Sequence, residues 1–275
     1  MVKNPYKLQL TNGFFAEFDQ IARVLAYAVE HGTEGRVSRD AYASGIGVSA
    51  SRAEHLCSIA VGFEVIQPVV LTATELGLMI HRYDPFLDKL GTLWLLHYLV
   101  SSNKRHVVWN RLVNRVIPEN DRFSTAIARP HFDDLGQFYS ERSMEKHLPK
   151  EIRVVWNAYA EQAFRHLGYV RPESEQIYMR GEPKPVPPHI FYAAVLLYGE
   201  RFSAGSMTLD VCILAANAES PGRVFGLTER RVRDLLKDIE SLGYLYVETR
   251  ADLDQIRFRY DRDFIGVVRH YYEEH

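Results

Sequence analysis

The clearest pattern of apolar and polar positions lies between residues 225 and 260. Apolar residues recur there at spacings of three and four, which predicts a helix from about Glu229 to Leu242 with one inward face. Thr228 suits the N-cap of this helix, and Gly243 suits its C-terminal stop. Two runs that alternate at period two, YLYVET and QIRFRY, follow it on either side of RADLD, and they predict a β-hairpin.

A proline-rich segment, RGEPKPVPPH at residues 180–189, precedes this region and predicts an extended linker. After it, HIFYAAVLLYGERF is apolar on nearly every side, as in a well-buried helix. Thr208 is the predicted N-cap of a second helix, and Pro221 with Gly222 predicts a turn before the third. Helix, helix, turn, helix and hairpin is the order of a winged helix-turn-helix.

The N-terminal region repeats this order of elements. A first helix is predicted in FFAEFDQIARVLAYAVEHG, a second from the cap Ser38 to a stop at Gly45, and a third from the cap Ser49 to about Gly62. EVIQPVVLT then predicts a short strand pair or wing, which Pro68 interrupts. We therefore predict two copies of one architecture, on the basis of shared element order rather than residue identity.

Residues 84–171, between the two copies, have helical patterns almost throughout. The predicted fold class is mainly α, with two winged helix-turn-helix modules flanking a helical bundle. The predicted domains are an N-terminal winged helix-turn-helix-like domain at 1–82, a helical middle domain at 83–182 and a C-terminal winged helix-turn-helix domain at 183–275.

Composition limits the classes of function. The 275-residue chain has a formal net charge of −2, so nucleic-acid binding has to come from local patches rather than from the overall field. Its only cysteines, Cys57 and Cys212, argue against a disulfide framework or a structural zinc site and favour a reducing, cytoplasmic setting. The N-terminus lacks the apolar core of a signal peptide, and the most apolar run, GTLWLLHYLV, is about half the length of a membrane span. We expect no membrane partner.

Cationic side chains define the leading candidate site. On the C-terminal helix, Arg230, Arg233 and Lys237 are predicted opposite the apolar face, where a recognition helix meets the major groove. Three further arginines on or beside the hairpin are placed for phosphate contact: Arg250, Arg257 and Arg259. Basic and acidic residues are equally numerous in residues 222–263, so a solvated charged face or a protein-docking surface stays open.

The third N-terminal helix carries a second candidate DNA-binding set, consisting of Ser51, Arg52 and His55. Ser51 and His55 are predicted to face outward, and Arg52 is one of few cations nearby. Glu54 shares that outward face and would repel phosphate, so a dimer or partner interface is at least as well supported. A third basic cluster, in SNKRHVVWNRLVNR, is more simply a solvated helix face. Its members are Lys104, Arg105, His106, Arg111 and Arg115.

The most distinctive segment is LTATELGLMIHRYDPFLDKLGTLWLLHYLV. A threonine-led helix is followed there by an Asp84–Pro85 turn and by Thr-Leu-Trp-Leu-Leu-His at residues 92–97. Over about 30 residues, this pattern resembles a prokaryotic family of unknown function from phage-defence islands. The resemblance implies a nucleic-acid-linked defence or accessory role and supplies no catalytic residue. LTNGFFAEFD stands where that family tends to have a His-Glu-Thr-Phe-like motif.

The same segment has structural uses for its polar residues. Asp84 is predicted to cap the turn, Thr92 to cap the next helix, and His97 to be a hydrogen-bonded core histidine.

Candidate residues for catalysis are few. His131, Asp133 and Asp134 form one potential divalent-metal group, although capping is the simpler use of the aspartates. Glu182 and Lys184 have a nuclease-like spacing but lie in the proline-rich linker, and both cysteines are predicted on inward helix faces. No phosphate-binding loop, dinucleotide fingerprint or nucleophile elbow occurs. We predict no catalytic residue, no metal and no cofactor.

These patterns predict a non-catalytic DNA-binding or accessory subunit of a prokaryotic phage-defence system. Its expected partners are double-stranded DNA and other subunits of that system, and paired modules are compatible with a homodimer. The second hypothesis is a protein–protein assembly subunit that uses winged-helix docking domains. The third, less favoured, is a metal-dependent nucleic-acid enzyme.

Overall fold

A computed structural model describes residues 4–32, 35–203, 205–250, 253–259 and 263–275. The chain forms two compact units, residues 1–184 and residues 185–275, and the second begins inside the proline-rich segment. The three-part division at residues 82 and 182 stays a prediction. No described helix has the length and apolar character needed to cross a membrane.

Helices dominate the first unit. They are α1 (Phe18–His31), α2 (Arg39–Ile46), α3 (Ala50–Gly62), α4 (Glu75–Tyr83), α5 (Leu90–Ser102), α6 (Val107–Arg111) with a π-helical turn (Leu112–Val116) leading to α7 (Ile117–Glu119), α8 (Thr125–Ala128), a 3-10 helix (Arg129–Gln137), α9 (Glu141–Ala160) and a second 3-10 helix (Ala163–Leu167).

Three short strands form an antiparallel sheet in the first unit: β1 (Arg122–Phe123), β2 (Val170–Ser174) and β3 (Ile177–Arg180), in the order β1-β3-β2. The predicted helical middle domain at 83–182 therefore also contains strands, of which only Arg122–Phe123 and the first two residues of β2 lie within the almost entirely helical range 84–171. The strands are short and mostly exposed, so periodicity gives little signal for them. Pairing between distant segments, such as Phe123 with Tyr178, defines this sheet.

The second unit is also mainly helical. Its elements are α10 (Pro188–Phe202), β4 (Thr208–Asp210), α11 (Val211–Ala216), α12 (Pro221–Val224), α13 (Glu229–Ser241), β5 (Leu245–Arg250), β6 (Leu253–Phe258) and α14 (Phe264–Glu274). The strands form one antiparallel sheet in the order β4-β6-β5. β5 and β6 confirm the predicted hairpin strands, whereas residues 251 and 252 of the predicted turn lie outside the described residues. The mainly α class is thus confirmed, with two small sheets among the described residues.

Local capping signals are confirmed at three helices. The side chains of Ser38, Ser49 and Thr228 accept backbone hydrogen bonds three residues further on, at 3.1, 3.2 and 3.3 Å. The predicted stop at Gly45 is wrong, because α2 continues to Ile46 and ends with Gly47 in the left-handed region at φ 69°. Gly45 instead lies against the ring of Tyr27, where a Cβ would be 2.1 Å from Cε2.

Two predictions in the second unit are also wrong. Thr208 lies in β4, paired with Arg257, and is not a helix cap. Pro221 and Gly222 begin α12 rather than form a turn, because proline at the first helical position has a suitable fixed φ. The hydroxyl of Ser220 caps this helix by accepting from the Arg223 amide at 3.3 Å.

The predicted N-terminal strand pair is reduced to a single bridge, between Ile66 and Ala73. Pro68 lacks an amide donor, and Val69 and Leu71 have positive φ values of 73° and 57°. That backbone follows a tight turn and cannot continue as a paired ribbon, so no wing of two strands forms in residues 64–72.

The segment that carries the family resemblance folds around Asp84. The Asp84 carboxylate accepts hydrogen bonds from the amides of Asp88 at 3.1 Å and Lys89 at 3.0 Å, which confirms its predicted capping role. Thr92 is not a cap, since α5 begins at Leu90 and Thr92 is buried within it. His97 is fully buried, with Nδ1 2.5 Å from the Tyr159 hydroxyl, which confirms a hydrogen-bonded core histidine.

Candidate nucleic-acid interface

The helix α13 is fixed at both ends and along one face. Four residues of the apolar stripe that periodicity predicts are buried, namely Val232, Leu235, Leu236 and Ile239, whereas Leu242, predicted on the same inward face, is 44% exposed. At its C-terminus, the Gly243 amide donates to the Glu240 carbonyl at 2.8 Å, and the Tyr244 amide donates to the Ile239 carbonyl at 3.2 Å. With Gly243 at φ 79°, this is a Schellman motif, which ends the helix and starts β5.

Two cations occupy the outward face of α13. Arg230 and Lys237 lie opposite the buried stripe, two turns or about 10 Å apart along the helix axis. Both are exposed, and neither forms an ion pair with any described residue. Arg231 is exposed as well, but it lies about 100° round the helix, on the flank that carries Asp234 and Asp238.

Arg233 has a different environment from its neighbours. Its guanidinium donates to both carboxylate oxygens of Asp254, at 2.8 and 2.5 Å, and to Glu229 Oε1 at 2.7 Å. These hydrogen bonds, first to Asp254 and then to Glu229, raise the pKa of Arg233 and lower the pKa of Asp254. Asp254 lies on β6, so Arg233 connects α13 to the hairpin. The charge of Arg233 is already paired with the carboxylates of Asp254 and Glu229.

The three hairpin arginines also differ in whether another side chain of the protein already binds the guanidinium. Arg250, at the end of β5, is exposed. Arg257 donates from Nε to Glu248 Oε1 at 2.8 Å, and this bond raises the pKa of Arg257. Arg259 lies over the ring of Tyr246, with its guanidinium carbon 4.4 Å from the ring centroid. Of the predicted C-terminal set, Arg230, Lys237 and Arg250 are therefore the cations best placed to meet an outside anion.

The N-terminal candidate set is largely covered by the chain itself. His55 is 5% exposed, so the prediction that it faces outward is wrong. The Phe14 ring stacks on His55 at 4.5 Å, and Asn12 Nδ2 lies 3.1 Å from its Nδ1, because the segment before α1 folds over α3. Burial lowers the pKa of His55.

The other members of that set are mostly paired. Arg52 forms an ion pair with Glu17 at 2.6 Å, and Glu54 pairs with Arg39 at 3.2 Å. Ser51 is exposed. This face of α3 consequently offers one exposed hydroxyl and no unpaired cation among the three predicted residues.

The candidate metal group does not assemble. Arg111 is buried and donates to Asp134 Oδ2 at 2.8 Å and to the His131 carbonyl at 2.7 Å. The hydrogen bond from Arg111 lowers the pKa of Asp134. Among the residues that the structure describes, no group of three or more His, Cys, Asp or Glu side chains could hold a metal ion. Glu182 and Lys184 are both exposed at the end of the first unit.

The basic cluster of residues 104–115 is also divided. Arg111 and His106 are buried, whereas Lys104, Arg105 and Arg115 are exposed, so the five do not form one cationic face.

The two cysteines have different surroundings. Cys57 is buried as predicted, and burial raises its pKa to about 12. Cys212 is exposed, so its predicted inward position is wrong. Nothing else in the described residues gives either thiol a reactive setting.

Solved structures with the same fold define the class to which the chain belongs. A magnesium ion-bound crystal structure of SspB superimposes with a TM-score of 0.78 at 18% sequence identity, covering 95% of this chain and 86% of that one. A second SspB crystal structure has a TM-score of 0.74 at 16% identity, covering 95% of this chain and 85% of the other. At these identities, the likeness establishes the fold.

A family model gives the closer assignment. Residues 62–272 match the model described as "Protein of unknown function (DUF4007)", so the chain belongs to that family. This match confirms that the chain belongs to a family of unknown function, whereas the link to phage-defence islands stays a prediction. No curated protein shows a significant match to the chain.

Proposed function

We propose that the protein is a non-catalytic, DNA-binding accessory subunit and that its second unit is a winged helix-turn-helix. The order α10-β4-α11-α12-α13-β5-β6 is that of a winged helix in which the first strand pairs beside the hairpin. In that arrangement α13 is the recognition helix, and β5 with β6 is the wing. The link to phage defence comes from the sequence resemblance and is part of this proposal.

The observation that carries the proposal is the unpaired cationic face of α13. Arg230 and Lys237 point away from the buried stripe and have no carboxylate partner among the described residues. Arginine can pair with guanine in the major groove, and lysine can neutralise a phosphate. Arg250 extends the same positive character onto the hairpin, whereas Arg233 and Arg257 contribute structure rather than free charge.

Duplex binding by full-length protein at several salt concentrations tests the proposal. On random duplex, where binding is nonspecific, both cations would contact phosphates, so replacing both should lower the slope of log K against log salt by about 1.8. We expect that loss in Arg230→Ala/Lys237→Ala, measured by fluorescence anisotropy on random duplex. Arg231→Ala is the matched control on the same helix and should leave the slope nearly unchanged. No duplex binding at low salt, or equal losses in both variants, would remove α13 as the interface.

A second candidate function, assembly with a protein partner, is favoured by exposed apolar side chains in the first unit. Phe86 is 75% exposed and Val69 is 73% exposed, and an interface would remove this apolar surface from water. This alternative predicts no duplex affinity and co-purification that Phe86→Ser abolishes.

A metal-dependent nucleic-acid enzyme is the third hypothesis, and a protein of similar fold was solved with magnesium bound. The described donor residues of this chain do not group into a site for that ion, because Asp134 is held by Arg111. The proposed function therefore contains no metal-dependent step.

A further inference from the structure

A cleft of about 170 Å³ opens in the first unit between α9 and the β1-β3-β2 sheet. It is lined by Lys150, Arg153 and Trp156 of α9, by Tyr178 and Gln176 of the β2–β3 hairpin, and by Thr125 of α8. At about 30 Å³ per water molecule, that volume is roughly six waters, which is comparable with one planar heterocycle.

The mouth of the cleft is cationic. Lys150 and Arg153 are three residues apart on α9, so their side chains share one side of the helix. Both are exposed, and neither forms an ion pair with a described residue. The nearby carboxylate of Glu161 accepts from Asn157 Nδ2 at 2.6 Å and forms no ion pair with either cation among the described residues. Two adjacent cations without an acid partner form a site for a phosphate group.

The wall and floor of the cleft are aromatic. Trp156 and Tyr178 have ring centroids 5.8 Å apart at 33°, and Phe123 supports the indole from the other direction, with centroids 4.8 Å apart. Burial, with the Glu161 carboxylate second, raises the pKa of Tyr178, so its hydroxyl keeps its proton and can donate. Flat aromatic surfaces beside a phosphate site are typical of pockets that stack a nucleobase.

An unsatisfied donor supports the assignment independently of charge. Trp156 is 1% exposed, and its Nε1–H has no hydrogen-bond partner among the described residues. A buried donor left without an acceptor costs about 1–3 kcal/mol, so such groups usually have a partner. A ligand that places a carbonyl or phosphoryl oxygen in the cleft would supply it, while the Gln176 amide and the Thr125 hydroxyl can read polar atoms of a base or sugar.

We propose that this cleft binds one nucleotide, with its phosphate on Lys150 and Arg153, its base against the half-buried ring of Tyr178, and an oxygen atom accepting from Trp156 Nε1. The same chemistry occurs in a free nucleotide and in a unit of a single strand. The proposal is separate from duplex binding by α13, because it uses only residues of the first unit.

The test uses full-length protein and isothermal titration with three probes: deoxynucleoside monophosphates, a 5′-phosphorylated single-stranded oligonucleotide and inorganic phosphate. Lys150→Ala/Arg153→Ala should weaken nucleotide binding at least about tenfold, since hydrogen bonds to charged groups are involved. Trp156→Phe should weaken it about fivefold through the lost N–H. Arg142→Ala/Lys146→Ala removes the same charge from exposed positions of α9 outside the cleft and should change nothing.

The results distinguish three cases: binding of a free nucleotide, binding of a unit of a single strand, and no nucleotide site. Comparable affinity for monophosphate and oligonucleotide assigns a free nucleotide, and binding of the oligonucleotide alone assigns a strand. No binding of either, equal losses in the control pair, or phosphate binding as tight as nucleotide binding would overturn the proposal. If Trp156→Phe fails to fold, Lys150→Ala/Arg153→Ala still tests the proposal, because it changes only exposed residues. Arg230→Ala/Lys237→Ala should bind mononucleotide normally, which distinguishes this site from the duplex interface.

Discussion

Arg233 should stabilise the hairpin rather than contact DNA, and a charge-balanced pair of replacements can show this. Arg233 and Asp254 are 37% and 36% exposed, so solvent screening limits the coupling of their bidentate pair to about 1 kcal/mol. Arg233→Ala removes a positive charge and leaves two carboxylates, whereas Arg233→Ala/Asp254→Ala keeps the local net charge. The four proteins of this cycle isolate the pair interaction from the individual side chains.

Two measurements follow from that geometry. Hydrogen exchange of the β5 and β6 amides reports opening of the hairpin locally, and the cycle should give a coupling near 1 kcal/mol. The salt dependence of duplex binding reports phosphate contacts, and the charge-balanced variant should keep the wild-type slope.

A contrary result is easily recognised. If the charge-balanced variant lowers the salt slope by about 0.9, Arg233 neutralises a phosphate in the complex and its ion pairs open on binding. If the coupling is near zero, the hairpin is held by its apolar contacts alone. Either result would contradict the division of the arginines into free and structural groups.

Three further predictions concern the first unit. Glu151→Ala should lower the free energy of unfolding by about 3 kcal/mol in urea titrations, because the amides of Leu10, Thr11 and Gly13 lose their carboxylate acceptor. Replacement of the exposed Glu145 on the same helix by alanine is the control. Burial raises the pKa of Glu151 in the folded protein. Its titration therefore contributes stability that is present below the unfolded pKa and is lost as pH rises through the folded pKa. Glu151→Gln should flatten that part of the curve of unfolding free energy against pH, and an unchanged curve would contradict this prediction. Gly77→Ala should lower the free energy of unfolding by about 3 kcal/mol, because its Cβ would lie 2.0 Å from the Val65 carbonyl oxygen. Gly136→Ala is the control, because its Cβ would meet nothing within 4 Å and should leave the stability unchanged. Thermal melts of both variants measure the difference.

Local signals in the sequence were sufficient for α10, α13 and the β5–β6 hairpin of the second unit, whereas α14 was not predicted. Thr228, the apolar stripe and Gly243 fix α13 because a cap, a periodic face and a left-handed stop act within a few residues of one another. The β5–β6 strands follow for the same reason, since a hairpin is the most local form of sheet. Short elements without such a signature, such as β4 and α12, were misread at Thr208 and Pro221.

The candidate site depended on contacts that periodicity cannot express. His55 has an outward position by helical spacing, yet Phe14, from a separate segment, covers it. Arg233 shares a face with Arg230, yet a carboxylate on β6 neutralises it. The cleft residues were missed because Trp156 and Tyr178 lie on different elements, although two cations three residues apart on α9 were a visible signal.

The distribution of unpaired charge also explains why an accessory role is the better proposal. An approaching phosphate would be a third anion around Arg233, whereas it would be the first around Arg230 or Lys237. If Arg230, Lys237 and Arg250 each neutralised one phosphate, the salt slope would be about 2.7, well below that of proteins with six to ten phosphate contacts. Duplex binding through so few contacts would be weak, although only shallowly dependent on salt, so the proposed interface would need a second contact to hold DNA. A partner subunit, a second copy of the chain or the nucleotide cleft of the first unit would each provide one, because linked weak sites raise the effective affinity without strengthening either site.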